Sequence, residues 1–311
     1  MKALRVFDGH CDTAVELWRR QEALADSSCQ ISLRRAEVFD AYVQVFAFCT
    51  AWLPRGLQES DAFCRSMRYF SAQLERNRDG MFLCRTADDV ESALTGRARG
   101  AVLAIEGAEA IGCDPGRLDG AYEAGVRMVT LTWNHQNALA GSCHTGEGLS
   151  AQGREFVRRA QRLGIIIDVS HLSDRAFWDV CELAEEPIVA SHSNSRAVCP
   201  HPRNLTDEQF RAICQHGGTA GINLYSPFLS AEPATLDDVC RHIEHFCALG
   251  GAGHVALGGD LDGCDTLPEG FSGVEDYEKL AEALSSRGFE EEIMQEIFSD
   301  SLLKVVKRCI M

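Results

Sequence analysis

Lysine is nearly missing from this 311-residue chain. Its four lysines are Lys2, Lys279, Lys304 and Lys307, and none falls between residues 3 and 278. That gap removes a Schiff-base lysine, or a carbamylated lysine bridging two metals, from most of the molecule. Positive charge as a whole is short: 30 Lys+Arg stand against 46 Asp+Glu, a net charge of −16. This is the wrong sign for a protein that grips a phosphate backbone or an anionic membrane surface, so neither nucleic acid nor membrane is an expected partner. No apolar run approaches the roughly 18 residues needed to span a bilayer. Met1-Lys2-Ala3-Leu4-Arg5 leads into a short apolar segment broken by Asp8, which is not an export signal, and Cys309-Ile310-Met311 is too short for a prenylation box. Walker, Gly-x-Ser-x-Gly and Gly-x-Gly-x-x-Gly signatures are absent, so nucleotide, serine-hydrolase and Rossmann readings have no support. The fourteen cysteines form no C-x-x-C pair. They read as reduced thiols of a cytoplasmic protein, mostly small core residues. With no Pro- or Ser-rich linker, repeat or composition shift, residues 1–311 read as one domain.

What is present is an ordinary globular composition, 45% hydrophobic and 24% charged, patterned as strands alternating with helices. Eight short apolar runs bounded by turn residues predict strands at Leu4 to Phe7, Val43 to Phe48, Ala101 to Ile105, Met128 to Thr132, Ile165 to Val169, Ile188 to Ala190, Thr219 to Leu224 and His254 to Leu257. Most are continuously apolar, as parallel strands buried on both faces are. Helix signals fall between them: a capping box at Thr206-Asp207-Glu208-Gln209, an amphipathic stretch from Leu149 to Leu163, a cap at Ser173, and a helix from Thr235 through Leu249. Eight strands in about 260 residues fit a (β/α)8 TIM barrel better than two doubly wound domains. Residues 270 to 311, rich in Glu and Leu, read as extra C-terminal helices on the outside of the barrel.

Polar residues gather where these strands stop. The first is followed by Asp8-Gly9-His10-Cys11-Asp12-Thr13, in which His10 and Asp12, two apart in extended chain, project to one side. The third ends in Ile105-Glu106-Gly107, the fifth in Asp168-Val169-Ser170-His171, the sixth in Ala190-Ser191-His192-Ser193, and the eighth in Gly258-Gly259-Asp260-Leu261-Asp262-Gly263. Any one of these is more often a satisfied turn residue than a ligand. Five together meet at one rim of a closed barrel, where enzymes of that fold place their chemistry. Three imidazoles and three carboxylates form a mixed nitrogen and oxygen set that suits Zn2+ or a similar first-row ion. They exceed the needs of one tetrahedral site and fit two ions about 3.5–4 Å apart sharing a hydroxide. With lysine excluded, Glu106 is the natural bridging ligand.

On these segments, together with Leu131-Thr132-Trp133-Asn134 and Pro202-Arg203-Asn204, the chain resembles the membrane (renal) dipeptidases and their bacterial relatives, dinuclear zinc members of the amidohydrolase superfamily. The resemblance runs in order from near the first residue to about 263. It implies a zinc-dependent dipeptidase with two Zn2+ per chain: His10 and Asp12 on one ion, His171 and His192 on the other, and Glu106 bridging them. It further implies that Asp260 faces the bridging hydroxide as proton carrier, and that Arg203 pairs with the free C-terminal carboxylate of a dipeptide, including dipeptides ending in a D-residue. One departure stands out. Vertebrate members carry a histidine directly after Leu-Thr, and this chain has Trp133, with His135 two residues on as a possible substitute donor. The exit of the seventh strand, with Tyr225, is expected to shape the side-chain pocket. A related amidohydrolase acting on another small amide or lactone, and a non-catalytic metal-binding barrel, are the alternatives; monomer and homodimer are both open.

Overall fold

In the computed structural model, which describes residues 4–49, 58–96 and 98–310, the strands are β1 (Arg5–Cys11), β2 (Ala41–Cys49), β3 (Met81–Leu83), β4 (Arg99–Glu106), β5 (Val126–Thr130), β6 (Ile166–Asp168), β7 (Ile188–Ala190), β8 (Thr219–Ile222) and β9 (Val255–Leu257). The sheet order is β2-β1-β9-β8-β7-β6-β5-β4, and pairing of β2 with β4 closes it. All of these pairings are parallel. The result is the expected (β/α)8 barrel. The short β3 was not foreseen. It pairs only with the start of β4 and lies outside the closed ring.

The continuous apolar runs form strands because both faces are covered. Along β4, β5 and β6, Val102, Ala104, Met128 and Ile166 join one cluster with Phe7, Val189 and Ala256, while Leu103, Ile105, Val129 and Ile167 belong to a second, larger one shared with the surrounding helices. Glu106 and Asp168 fall two residues beyond Ala104 and Ile166, so the alternation of a strand carries them into the barrel mouth. Register ties Glu106 to Thr130 and Thr130 to Asp168 in one layer.

Helix starts follow the local chemistry. Ser150 and Ser173 accept from the backbone N–H groups of Gly153 and Ala176, and Thr206 with Gln209 and Thr235 with Asp238 form capping boxes. Each such cap is worth about 1 kcal/mol. The amphipathic stretch settles at Ala151–Arg162, and the helix after Thr235 is regular only over Leu236–Phe246, because a wider turn takes over at Cys247–Gly251. Two expectations need correction. The first strand runs on through Cys11, so His10 is a strand residue rather than a loop residue. The C-terminal helix Ser301–Cys309 is also more than an outer layer, since Leu302 and Val305 share the cluster built from the barrel's inward-facing residues. No helix among the described residues is long and apolar enough to cross a membrane.

Candidate metal centre

The five strand ends converge as the barrel requires. His10 ends up buried beside three carboxylates, its Nε2 being 3.4 Å from Glu106 Oε2, 3.7 Å from Asp260 Oδ1 and 3.9 Å from Asp12 Oδ2. On the other side of Glu106, Oε1 lies 2.9 Å from His171 Nε2 and 3.4 Å from His192 Nε2. Two sets of donor atoms close enough to hold one ion each therefore share Glu106: His10, Asp12 and Glu106, and Glu106, His171 and His192. His10, Asp168 and His192 form a further close set, but both Asp168 oxygens are already engaged. Its carboxylate accepts from Thr130 Oγ1, from Ser191 Oγ and from the backbone N–H groups of Ser170 and Ser191.

The hydrogen bonds decide where the imidazole protons sit. Asp168 is held below the ordinary carboxylate range, because His192 and those donors outweigh the opposing effect of burial, so it is ionised and can only accept. The single proton of Ser191 Oγ, 2.5 Å from Asp168 Oδ2, goes there. His192 Nδ1, 2.7 Å from the same Oγ, must then be the donor, which leaves a lone pair on Nε2. His171 Nδ1 sits 3.0 Å from Asn134 Oδ1 and donates to it, with the same consequence. Two lone pairs 2.9 Å apart thus face each other and a carboxylate oxygen with no proton between them. A cation is what relieves this, and the buried atoms His10 Nε2 and Asp12 Oδ1, which have no hydrogen-bond partner, leave the same demand on the other side. The residues fit two divalent ions, oriented by outer hydrogen bonds as ligating histidines usually are.

The electrostatics agree. Burial disfavours a charge on His10, yet Glu106, Asp260 and Asp12 outweigh it and lift the imidazole to about 10. Burial and the Arg203 guanidinium push His171 down to about 4, and burial with the charge on His10 takes His192 well below its usual range, so both are neutral at pH 7. Glu106 is fully buried, but the charge on His10 holds it well below the normal range. Burial and the charge of Glu106 raise Asp12, and burial leads the rise of Asp260. His171 and Asp260 have left-handed backbone, φ 68° and 56°, a conformation costing about 1–3 kcal/mol per non-glycine residue and concentrated at functional sites.

Around this centre the outer residues divide. Arg203 is buried; its two terminal nitrogens make only long bonds, 3.4 Å to Ser193 Oγ and 3.3 Å to the His192 carbonyl, and its Nε has no partner. Trp133 is half-buried with its ring centroid 6.4 Å from that of His171. His135 is exposed, 6.0 Å from the Trp133 ring, and joins neither set of ligand atoms. Tyr225 is half-buried and meets Phe228 edge-on at 4.8 Å. Three participants were not singled out in the sequence. Asn134 orients His171, Asn223 Nδ2 donates to Asp260 Oδ2 at 2.9 Å, and Ser191 links Asp168 to His192. Each stands within or beside a strand-end motif, but small polar residues there carry no distinguishing spacing.

A model of the membrane dipeptidase family, peptidase family M19, matches residues 1–309. The chain belongs to this family. Among related sequences, an uncharacterized protein of the pqqA 5' region in Klebsiella pneumoniae is 37% identical over 238 residues, 72% of this chain and 88% of that one. An uncharacterized dipeptidase of Schizosaccharomyces pombe is 35% identical over 213 residues, 66% of this chain and 52% of that one. Among solved structures, the metallopeptidase dipeptidase AC superposes with a TM-score of 0.90 at 30% identity, covering 99% of both chains. A metallopeptidase from Rhodobacter sphaeroides, liganded with a phosphinate mimic of the dipeptide L-Ala-D-Ala, superposes with a TM-score of 0.88 at 30% identity, covering 99% of this chain and 100% of that one. These neighbours and the family model place this M19 member among the metal-dependent dipeptidases.

Proposed function

We propose that this M19 member is a dinuclear zinc dipeptidase that accepts dipeptides of L-Xaa-D-Xaa as well as L-Xaa-L-Xaa form. The observation that carries the reading is one carboxylate, Glu106, shared by two triads of buried ligand atoms. His10 and Asp12 would hold one ion and His171 and His192 the other, with Glu106 common to both, and the nitrogen and oxygen donors suit zinc. When bound, the ions supply Lewis acidity that polarises the scissile carbonyl and makes water nucleophilic near neutral pH.

The chain's own residues do the rest. Asp260, anchored through Oδ2 by Asn223, keeps Oδ1 toward the centre, 3.7 Å from His10 Nε2. From there it takes a proton from the attacking water and returns it to the departing amine. Arg203 is a buried cation that pairs with no carboxylate among the described residues, next to the backbone of His192. A dipeptide's C-terminal carboxylate completes its bonding and restricts the site to short substrates. Tolerance of a D-residue is supported by the L-Ala-D-Ala mimic in the Rhodobacter sphaeroides relative. Trp133 contributes an apolar wall beside His171, and Tyr225 flanks the mouth; the exposure of His135 argues against its standing in as an oxyanion donor.

Metal analysis of the purified chain with a panel of L,L- and L,D-dipeptides, N-acyl amino acids and lactones tests this reading. Two zinc ions per chain with turnover of dipeptides only is the expected result, and inactivity on every dipeptide with metal fully loaded overturns it. A narrower check concerns Arg203. Losing a charge-assisted hydrogen bond of about 2–3 kcal/mol predicts that Arg203→Met raises KM about 100-fold, at 1.4 kcal/mol per tenfold, with kcat changed only a few fold. An unchanged KM removes Arg203 from substrate binding.

A further inference from the structure

The barrel ladder is thinnest where its chemistry needs it firmest. Strand β1, which carries His10, and β9, which leads to Asp260, share one register pair, Asp8 with Leu257, and beyond it only the isolated bridge of Cys11 with Leu261. One backbone bond, from Asp260 N–H to the His10 carbonyl at 3.1 Å, joins the two functional residues directly. Another, from Asp12 N–H to the Leu261 carbonyl at 2.9 Å, belongs to that bridge, and the backbones of His10 and Gly259 are further tied by a fully buried carboxylate that the proposed reaction does not use. Asp8 Oδ1 accepts from the backbone N–H of His10 at 2.9 Å and from that of Gly259 at 3.2 Å, while Oδ2 accepts from Gly259 at 3.3 Å and from the hydroxyl of Tyr277. Tyr277 comes from far along the chain, at the start of the helix Tyr277–Ser286, and is itself buried, its ring meeting Phe271 at 6.1 Å and Phe298 at 6.5 Å, both edge-on. The fit leaves no slack: a Cβ on Gly259 would collide with the Tyr277 hydroxyl and lie 3.1 Å from Asp8 Oδ2.

We propose that Asp8, locked by Tyr277, is a positioning residue that fixes the ligand His10 relative to the proton carrier Asp260 by holding the backbones of His10 and Gly259 on one carboxylate. The helix Tyr277–Ser286 thereby becomes part of the site's support. The other half of the centre is oriented by a separate set of bonds, His171 by Asn134 and His192 by Ser191 and Asp168. Asp8 touches neither this half nor Arg203. The inference rests on the dinuclear reading and separates the two ions: loss of Asp8 disturbs the His10 ion and proton transfer, and leaves the His171 ion and substrate binding alone.

Two variants test it. Asp8→Asn keeps the shape but removes an acceptor, and Tyr277→Phe removes only the hydroxyl while keeping the ring packing. Zinc titration against a chromophoric chelator is run first on the wild-type chain, where two binding events are expected. In Asp8→Asn one of the two affinities falls about 10–100-fold, the size usual for an outer-shell loss, and the other stays unchanged; kcat falls by a similar factor while KM holds. Tyr277→Phe shows the same split at smaller size. Wild-type behaviour of both variants overturns the proposal. So does a parallel loss of both affinities and KM with a lowered Tm, which marks general destabilisation. If Asp8→Asn does not fold, Tyr277→Phe decides alone. A wild-type chain binding a single zinc overturns the dinuclear reading instead, and the split between kcat and KM then decides the role of Asp8.

Discussion

Replacing Glu106 by glutamine is expected to abolish the activity of this dipeptidase-family protein, with kcat/KM falling at least about 10³-fold and the metal content dropping below two ions per chain. The size follows from what the side chain does. Glu106 is the one residue common to both ligand triads, so the substitution weakens both ions at once. Metal Lewis acidity supplies several kcal/mol of transition-state stabilisation, and each 1.36 kcal/mol is tenfold in rate. Glutamine preserves the volume, but its neutral amide gives up the pairing of the Glu106 charge with the buried His10 cation, so the metal-free fold should also melt lower. Elemental analysis, steady-state kinetics and a thermal melt on the same preparation check this. Two ions per chain with activity within tenfold of the parent would sink the shared-carboxylate site.

Asp260→Asn should separate chemistry from binding. The amide cannot take a proton from water, and general acid-base catalysis by a positioned side chain is worth about 10²–10⁴ in rate. A loss of kcat in that range is expected, with both ions retained, because Asp260 belongs to neither metal triad, and with the affinity for an unreactive dipeptide mimic unchanged. The Asn223 contact at 2.9 Å survives a carboxamide, which can present its oxygen to Nδ2. Kinetics, metal analysis and calorimetry with a phosphinate dipeptide distinguish the cases. Metal loss in parallel with kcat would make Asp260 a ligand, and an unchanged kcat would give the proton to another group.

The candidate site was legible because it is written in residue types that strands rarely carry at their ends. His10, Asp12, Glu106, His171, His192 and Asp260 each terminate or follow an apolar run, and the parallel closure of the sheet leaves those ends no place except one rim. The supports were not legible. Asn134, Asn223 and Ser191 are ordinary polar residues in sequence, and their roles depend on a neighbour 37, 37 or 23 positions away. Tyr277 and Asp8 are 269 residues apart, and no local pattern links a tyrosine opening a surface-facing helix to an aspartate in the first strand. His135 is a position the spacing alone leaves open. Its spacing from Trp133 let it share the face of an extended chain, but β5 ends at Thr130 and the alternation does not persist that far.

By itself, then, the chain pointed to the barrel, since continuous apolar runs of strand length spaced by capped helices bury their two faces in a parallel sheet, and eight of them in about 260 residues fit a closed ring better than two doubly wound domains. It also supplied the donor chemistry of the candidate metal centre, through the mix of imidazole and carboxylate at strand ends and the lack of lysine across residues 3 to 278. Only the tertiary structure decided that one glutamate lies between two triads, that the protons of His171 and His192 point away from the centre, and that Asp8 substitutes for a ladder nearly absent between β1 and β9. The reason is one of range. Apolar periodicity and capping act over a few residues and can be read along the chain, whereas hydrogen-bond direction and the sharing of a ligand are set by atoms that meet only when distant strands close the barrel.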